Sequence, residues 1–394
     1  MKKGTLVKML CAAFAAVMAF AVTGCAGKSP TANNDKYVIG ASGPLTGGAS
    51  LYGTGVKNGA QLALDEINAA GGLNGVLFDF VMTDDKHDTT KIANNYTSLY
   101  EKGMQVSLGC VTTAPCREFK EYAHTDNVFF MTPSATGDDV TEYDDAYQMC
   151  FSDSGQGSAS AVYVKEQIAA GAFAVENIGI LYKSDDPYSK GIYENFIKAF
   201  TDAEKAKMAV CAFVDGTTDY SSFAEQLKSK TFIFIPTYTD AASTFMQQAK
   251  GVVANDAIYF GCDGFDGIDM LEGFDIKEIP QEVSYLSHFN SGATTGLAGE
   301  FVQKYTAKYG VATLNQFAAS AYDCIYAIYG AMKQAVEAGK EIPVTISASD
   351  LCDILKETFQ SGYTFTGVTG TNIRWSATGT VEKNADKYIV KAAS

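Results

Sequence analysis

Short apolar runs alternate with helix-period segments along this chain, and no other feature constrains its fold as strongly. Residues 37–44 (YVIGASGP) are a run ending in Gly and Pro, which reads as a strand. Val56, Ala60, Ala63, Leu64 and Ile67 then recur at helical spacing, and Gly71-Gly72 stops that helix. The alternation continues with strands over 77–84, 106–110 and 128–132 and helices over 89–100 and 116–123. It then repeats. Strands are expected at 147–151, 178–182, 209–214, 232–236 and 258–261, with helices at 159–170, 189–200, 223–227 and 241–249. Apolar strands interleaved with helices make parallel sheets buried on both faces. Two such series predict an α/β protein of two doubly wound parallel-sheet lobes. In such sheets ligands sit beyond the carboxyl ends of the strands.

Composition narrows the function. With 47% hydrophobic and 19% charged residues, the chain has enough apolar material for a core, which excludes a disordered acidic segment. Thirty basic against 45 acidic side chains give a net charge of −15, which argues against a nucleic-acid partner. At the N-terminus, Lys2, Lys3 and Lys8 lead into an uncharged apolar run over 9–22. That run is shorter than the roughly 20 residues of a spanning helix, but it suits a signal peptide. Val22-Thr23-Gly24-Cys25 follows and resembles a lipobox. The expectation is a signal peptide over 1–24, lipidation at Cys25, a polar tether over 25–35 and an extracytoplasmic body held at the membrane by two acyl chains. Apart from Cys11 and Cys25, seven cysteines remain, an odd number with no CxxC spacing. They are expected to be buried free thiols.

The strand ends carry the functional signal. Thr112 and Thr113 follow the 106–110 strand and lead into a helix, whose free N–H groups and dipole favour a carboxylate. Thr132-Pro133-Ser134-Ala135-Thr136 offers hydroxyls and bare backbone at the next strand end. In the second series, Asp263-Gly264 sets a carboxylate at a strand end. Hydroxyls and N–H groups on one lobe and an acid on the other suit a zwitterion.

With these residues in hand, the chain resembles the extracytoplasmic solute-binding proteins of ABC transporters in the leucine/isoleucine/valine-binding class, which have the periplasmic binding protein type I fold. The likeness rests on Ile39–Gly47, on Gly59–Ala63 through Ile67–Gly75, and on Thr132–Thr136. It implies that Thr113 binds a ligand carboxylate and that Thr136 meets both carboxylate and ammonium. It also implies that the Ser134 carbonyl accepts from the ammonium, with Ala135 beside it. Asp263, with Gly264 next to it, stands where that class has Glu and pairs with the ammonium. Tyr52 walls the side-chain pocket, and Tyr188 and Tyr238 close over it. A three-crossover hinge is implied near Asp153, Val283 and Thr380, giving lobe 1 as 36–152 plus 284–380 and lobe 2 as 153–283 plus 381–394. The disulfide of that class falls at His87 and Thr112 here, so it is absent. The loop over 47–51 looks longer than in the class.

Enzymatic motifs are missing: no G-x-S-x-G elbow, P-loop or H-E-x-x-H helix is found. The acid pairs at 84–85, 138–139, 144–145 and 185–186 lack calcium-loop spacing and read as solvated loop acids rather than a metal site. The expected function is capture of a free amino acid, branched-chain or otherwise aliphatic, for an ABC permease. No cofactor, no catalysis and a monomer are expected. A sensor of the same fold, or a ligand such as an amide, urea or an aromatic acid, is the alternative.

Overall fold

The structure is a computed structural model that describes residues 34–381, 383 and 386–393. The expected signal peptide, Cys25 and most of the tether lie outside the described residues. The side-chain amide of Asn34 donates to the Gly103 carbonyl at 2.8 Å.

Five parallel strands form the first sheet, in the order β2-β1-β3-β4-β5. They are β1 (Tyr37–Gly43), β2 (Phe78–Asp84), β3 (Val106–Cys110), β4 (Phe130–Thr132) and β5 (Ala146–Gln148). Between them run α1 (Ser50–Ala69), α2 (Ile92–Glu101) and α3 (Thr113–Thr125). α4 (Asp153–Ala169) follows β5. The second sheet is built from β6 (Ile178–Lys183), β7 (Ala209–Phe213), β8 (Phe232–Ile235), β9 (Ile258–Gly261) and β10 (Glu282–Ser287). Its helices are α5 (Pro187–Lys198), α6 (Asp202–Lys205), α7 (Ser221–Leu227) and α8 (Thr239–Gln248). α9 (Gly296–Tyr309), α10 (Gln316–Glu337), α11 (Ala348–Gln360), the hairpin β11 (Phe365–Gly367) and β12 (Gly370–Ile373), and β13 (Asp386–Lys391) complete the chain.

Burial on both faces explains the unbroken apolar strands. In β8, Phe232 and Phe234 join one core with Ile178 and Ile180, while Ile233 and Ile235 join the opposite core with Leu181. In β4, Phe130 packs with Phe119 of α3, whereas Met131 belongs to the core that holds α1 and α10. Period-2 alternation therefore exists, but it alternates between two cores rather than between core and water.

Several differences from the sequence reading have physical causes. The strand expected over 147–151 does not open the second sheet: β5 pairs with β4, and α4 then packs Ala161 and Val164 against β6 and β8. β10 runs on to Ser287, beyond the crossing expected near Val283, because its backbone pairs with both β9 and β13. The second sheet is mixed, since β13 lies antiparallel to β10. α1 starts at Ser50, so the tail of the expected loop is helix and Tyr52 sits in the first turn. α3 starts at Thr113, three residues before the first apolar cue. Three of the paired acids are not solvated: Asp85, Asp145 and Asp186 are buried and hydrogen-bonded. Cys110, Cys116, Cys150, Cys211, Cys262, Cys324 and Cys352 are all buried free thiols.

The α1–α10 crossing holds the first lobe together. Gly59 faces Ala318 there, and a Cβ at that position would collide with the Ala318 carbonyl oxygen. Backbone cannot retreat as a side-chain tip can, so Gly59→Ala is expected to destabilise the protein by about 1–3 kcal/mol. Urea unfolding followed by circular dichroism measures it.

Candidate functional site

Strand order locates the site before any side chain does. The first sheet reverses direction between β1 and β3, and the second between β6 and β8. Chains leaving the carboxyl ends of strands at such a point diverge and open a crevice. The segments leaving β1, β3, β6 and β8 carry Tyr52, Thr112–Thr113, Tyr188 and Tyr238 respectively. The ends of β4 and β9 add Ser134 and Asp263.

Each of these is held by local chemistry. Asp84 accepts from the Leu45 and Lys86 amides and the Thr46 hydroxyl, which organises the loop before α1. Asp85 accepts from the Ser42 hydroxyl and the His87 amide. Lys86 and His87 both adopt positive φ (56° and 62°), and this turn directs the His87 ring toward the cleft. Its Nδ1 lies 2.8 Å from Thr112 Oγ1, so the two positions matched to a disulfide meet through a hydrogen bond. Nε2 lies 4.0 Å from Asp186, the N-cap of α5. Burial lowers the His87 pKa and raises that of Asp186.

On the wall built by the first sheet, no side chain among the described residues caps α3, and Thr112 and Thr113 at its amino end line the cleft. Thr113 Oγ1 accepts from the Thr136 and Gly137 amides at 3.3 Å. Ser134 Oγ donates to the Val111 carbonyl at 2.7 Å. The Ala135 carbonyl accepts from Gln148 Nε2, and the Thr136 carbonyl accepts from the Asp153 amide. Thr136 Oγ1 is fully buried with no hydrogen-bond partner among the described residues.

On the opposite wall, Tyr188 is a hub. Its hydroxyl donates to Asp263 Oδ1 at 2.6 Å, accepts from the Gly264 amide at 2.8 Å and touches Cys262 Sγ. Asp263 is 1% exposed, and its amide donates to Gln156 Oε1. Burial pushes its pKa up to about 7, even though the Tyr188 and Gln156 hydrogen bonds pull it down. A second carboxylate, Asp153, is buried at the start of α4 with Oδ1 unpartnered, and desolvation holds its pKa well above the usual range. Among the described residues neither acid forms a salt bridge, so hydrogen bonds alone offset part of the cost of ionising them.

Tyr52 joins the walls. Its hydroxyl donates to the Gly264 carbonyl at 2.7 Å and accepts from the Thr239 amide at 2.9 Å. Tyr188 stacks on Tyr238 at 4.6 Å, and Phe317 stands edge-on to Tyr52 at 5.2 Å. These residues enclose a cavity of about 10 Å³, lined by eight of the ten expected positions: Tyr52, Thr112, Thr113, Ser134, Tyr188, Tyr238, Asp263 and Gly264. That is room for roughly one water, so a larger ligand enters only if the walls part. Ala135 and Thr136 do not line the cavity and lie directly behind it.

Val111 and Phe317 also line the cavity and escaped the sequence reading. Asn315 caps α10 through its side chain, a visible helix-start signal. No sequence cue says that Phe317 reaches a cleft more than 250 residues from Tyr52. The described residues offer one possible cation cluster, His124, Asp144 and Asp145, with ligand atoms within 4.8 Å of one another. Its carboxylates already meet protein partners: Asp145 bonds His124 at 2.9 Å and Asp144 lies 3.6 Å from Lys356.

Comparison with known proteins bears on the family and the fold. A family model described as "Periplasmic binding protein" matches residues 36–393. The Leu/Ile/Val-binding protein BraC3 of Rhizobium johnstonii is 27% identical over 67% of this chain and 68% of its own. The leucine-, isoleucine-, valine-, threonine- and alanine-binding protein of Pseudomonas aeruginosa is 28% identical over the same shares. Among solved structures, the branched-chain amino acid transporter substrate-binding protein LivJ of Streptococcus pneumoniae, in complex with isoleucine, superposes with a TM-score of 0.75. It is 27% identical, with 90% of this chain and 98% of that one covered. A solute-binding protein of R. palustris in complex with benzoate shares the fold, with a TM-score of 0.74 at 18% identity over 91% of this chain and 94% of that one. No helix among the described residues is long and apolar enough to cross a membrane.

The buried acid sets a stability test. Folding raises the Asp263 pKa from 3.8 to about 7, so ionisation opposes folding increasingly as pH rises from about 4 to 7. Asp263→Asn removes that cost. In ligand-free protein it is expected to raise the melting temperature at pH 8 by several degrees, and by less at pH 5. Thermal melts at the two pH values measure the difference.

Proposed function

We propose a function from the premise that this chain belongs to the periplasmic binding protein family: it captures a free α-amino acid outside the cytoplasm and delivers it to an ABC importer. The observation that carries the reading is the opposition of two environments across one cleft. One wall presents the uncapped amino end of α3, which favours a carboxylate. The other presents Asp263, a buried carboxylate with no cation beside it among the described residues. A zwitterion satisfies both at once. Its carboxylate sits at Thr112 and Thr113. Its ammonium meets Asp263 and the Ser134 carbonyl, with Ala135 and Thr136 supporting the turn behind them and Gly264 permitting close approach. Tyr52, Tyr188 and Tyr238 enclose the side chain. A benzoate-like anion lacks the positive group that Asp263 requires. The relatives named for leucine, isoleucine and valine, and the isoleucine complex, make branched aliphatic amino acids the first candidates.

Two lobes, 36–152 plus 284–380 and 153–283 plus 381–394, part and close about a hinge to admit the ligand. The protein works as a monomer, binds without turnover, and is held at the membrane by diacylation of Cys25 after loss of residues 1–24.

Thermal-shift titration of the purified full-length protein, stripped of bound ligand, tests the core claim. Stabilisation is expected from amino acids and not from benzoate, urea or short amides; the reverse pattern overturns the reading. Asp263→Ala is expected to weaken amino-acid binding by about 2–5 kcal/mol, because it leaves a desolvated ammonium unpaired. Affinity is also expected to fall below about pH 7, since the ligand-free acid holds its proton up to about that value and must release it to pair with an ammonium. Calorimetric titration between pH 5 and 8 reads that slope. For the anchor, Cys25→Ser is expected to move the protein from the membrane fraction to the soluble one.

A further inference from the structure

The three tyrosines of the cleft are not held alike. Tyr52 and Tyr188 are each fixed by hydrogen bonds through their hydroxyls. The Tyr238 hydroxyl makes no hydrogen bond among the described residues. Its ring is held by packing: the Tyr188 stack, Tyr52 at 5.7 Å, the edge of His87 at 5.2 Å and the margins of two apolar cores. Tyr238 is also the wall shared with a second chamber of about 330 Å³ that opens beside the enclosed cavity. A chamber of that size falls in the range of small-molecule sites.

The second chamber is polar. Lys183 in its wall is paired with Asp215 at 2.7 Å. Lys86 and Asp240, also in the wall, form no salt bridge among the described residues. Thr237 lines it too, 1% exposed, with its hydroxyl unpartnered. An unpaired buried hydroxyl is costly and uncommon. Lys86 and Asp240 are exposed at this wall, with Asp240 Oδ1 already accepting from the Ala241 amide at 2.8 Å, so the wall offers both donors and acceptors to a group that carries both.

We propose that Tyr238 is the movable wall between the two chambers and that a bound amino acid can run its side chain past this ring, so that the site accepts extended side chains ending in a carboxamide as well as aliphatic ones. The inference rests on the amino-acid reading above and extends its ligand class. A carboxamide presents N–H to Asp240 and Thr237 and a carbonyl to Lys86. Branched aliphatic side chains end before the chamber and make none of these contacts. Thr237 is then a specificity-determining residue for the carboxamide class alone.

Calorimetric titration of the full-length protein, freed of ligand, with glutamine, leucine, isoleucine and valine tests this. Glutamine is expected to bind within tenfold of the best aliphatic ligand. Thr237→Val is expected to weaken glutamine at least fivefold relative to leucine, and Thr237→Ser to restore the wild-type ratio. Thr237→Ala makes the same comparison if the valine variant does not fold. Glutamine binding more than tenfold weaker than the best aliphatic ligand, or a ratio unmoved by loss of the hydroxyl, overturns the proposal while leaving the amino-acid reading intact. If none of the four ligands nor any other amino acid binds, the amino-acid reading itself falls, and this proposal with it.

Discussion

Parallel strand pairing gives each sheet a direction, and the organisation of the cleft depends on it. Every strand from β1 to β5 ends at the same edge of its sheet, as does every strand from β6 to β10. The helices that follow therefore start at those edges, with their free amides and positive dipole ends. Where strand order reverses, neighbouring connections diverge and leave a crevice. Nine of the ten positions that line the cavity converge because the hydrogen-bond pattern of the sheets brings their strands' ends together; the tenth, Phe317, comes from α10.

That arrangement creates an electrostatic conflict. Asp263 and Asp153 are taken out of water with no salt-bridge partner among the described residues, and both are driven toward the protonated form. Tyr188 and Gln156 relieve Asp263 only in part. A structure selected for stability alone would replace these acids with apolar or amide side chains. In the proposed reading a bound cationic group meets these acids, so the same residue that lowers the stability of the ligand-free chain would supply its selectivity. The ring cluster around them acts differently. Tyr52 closes the cleft through two strong hydrogen bonds, whereas Tyr238 closes it through packing alone.

The alternation of strands and helices was readable because each signal is local: apolar runs, helical spacing and glycine stops lie within a few residues of one another. The strand-end hydroxyls and Asp263 were readable for a related reason, since a polar residue just after a buried strand can only lie at the sheet's edge. Boundaries were less legible. α1 begins at Ser50 and α3 at Thr113, where residues outside the apolar stripe still make helical hydrogen bonds. The acid pairs were misread because composition alone does not separate a solvated Asp from one that ties a loop. Asp84 stays partly in solvent, while Asp85 beside it is buried on Ser42. β13 lies in the second sheet, antiparallel to β10, and no local pattern announced that partner.

By itself, the sequence determined the class of fold and the strand ends that carry polar groups, Asp263 among them, because both depend on burial patterns that short segments encode. Only the tertiary structure decided that Phe317 and Val111 share a cavity with Tyr52, that His87 bonds Thr112, and that the cavity is closed down to the size of a water molecule. Those facts depend on the packing of segments up to some 265 residues apart, a distance over which only the assembled core, and no local propensity, sets which side chains meet.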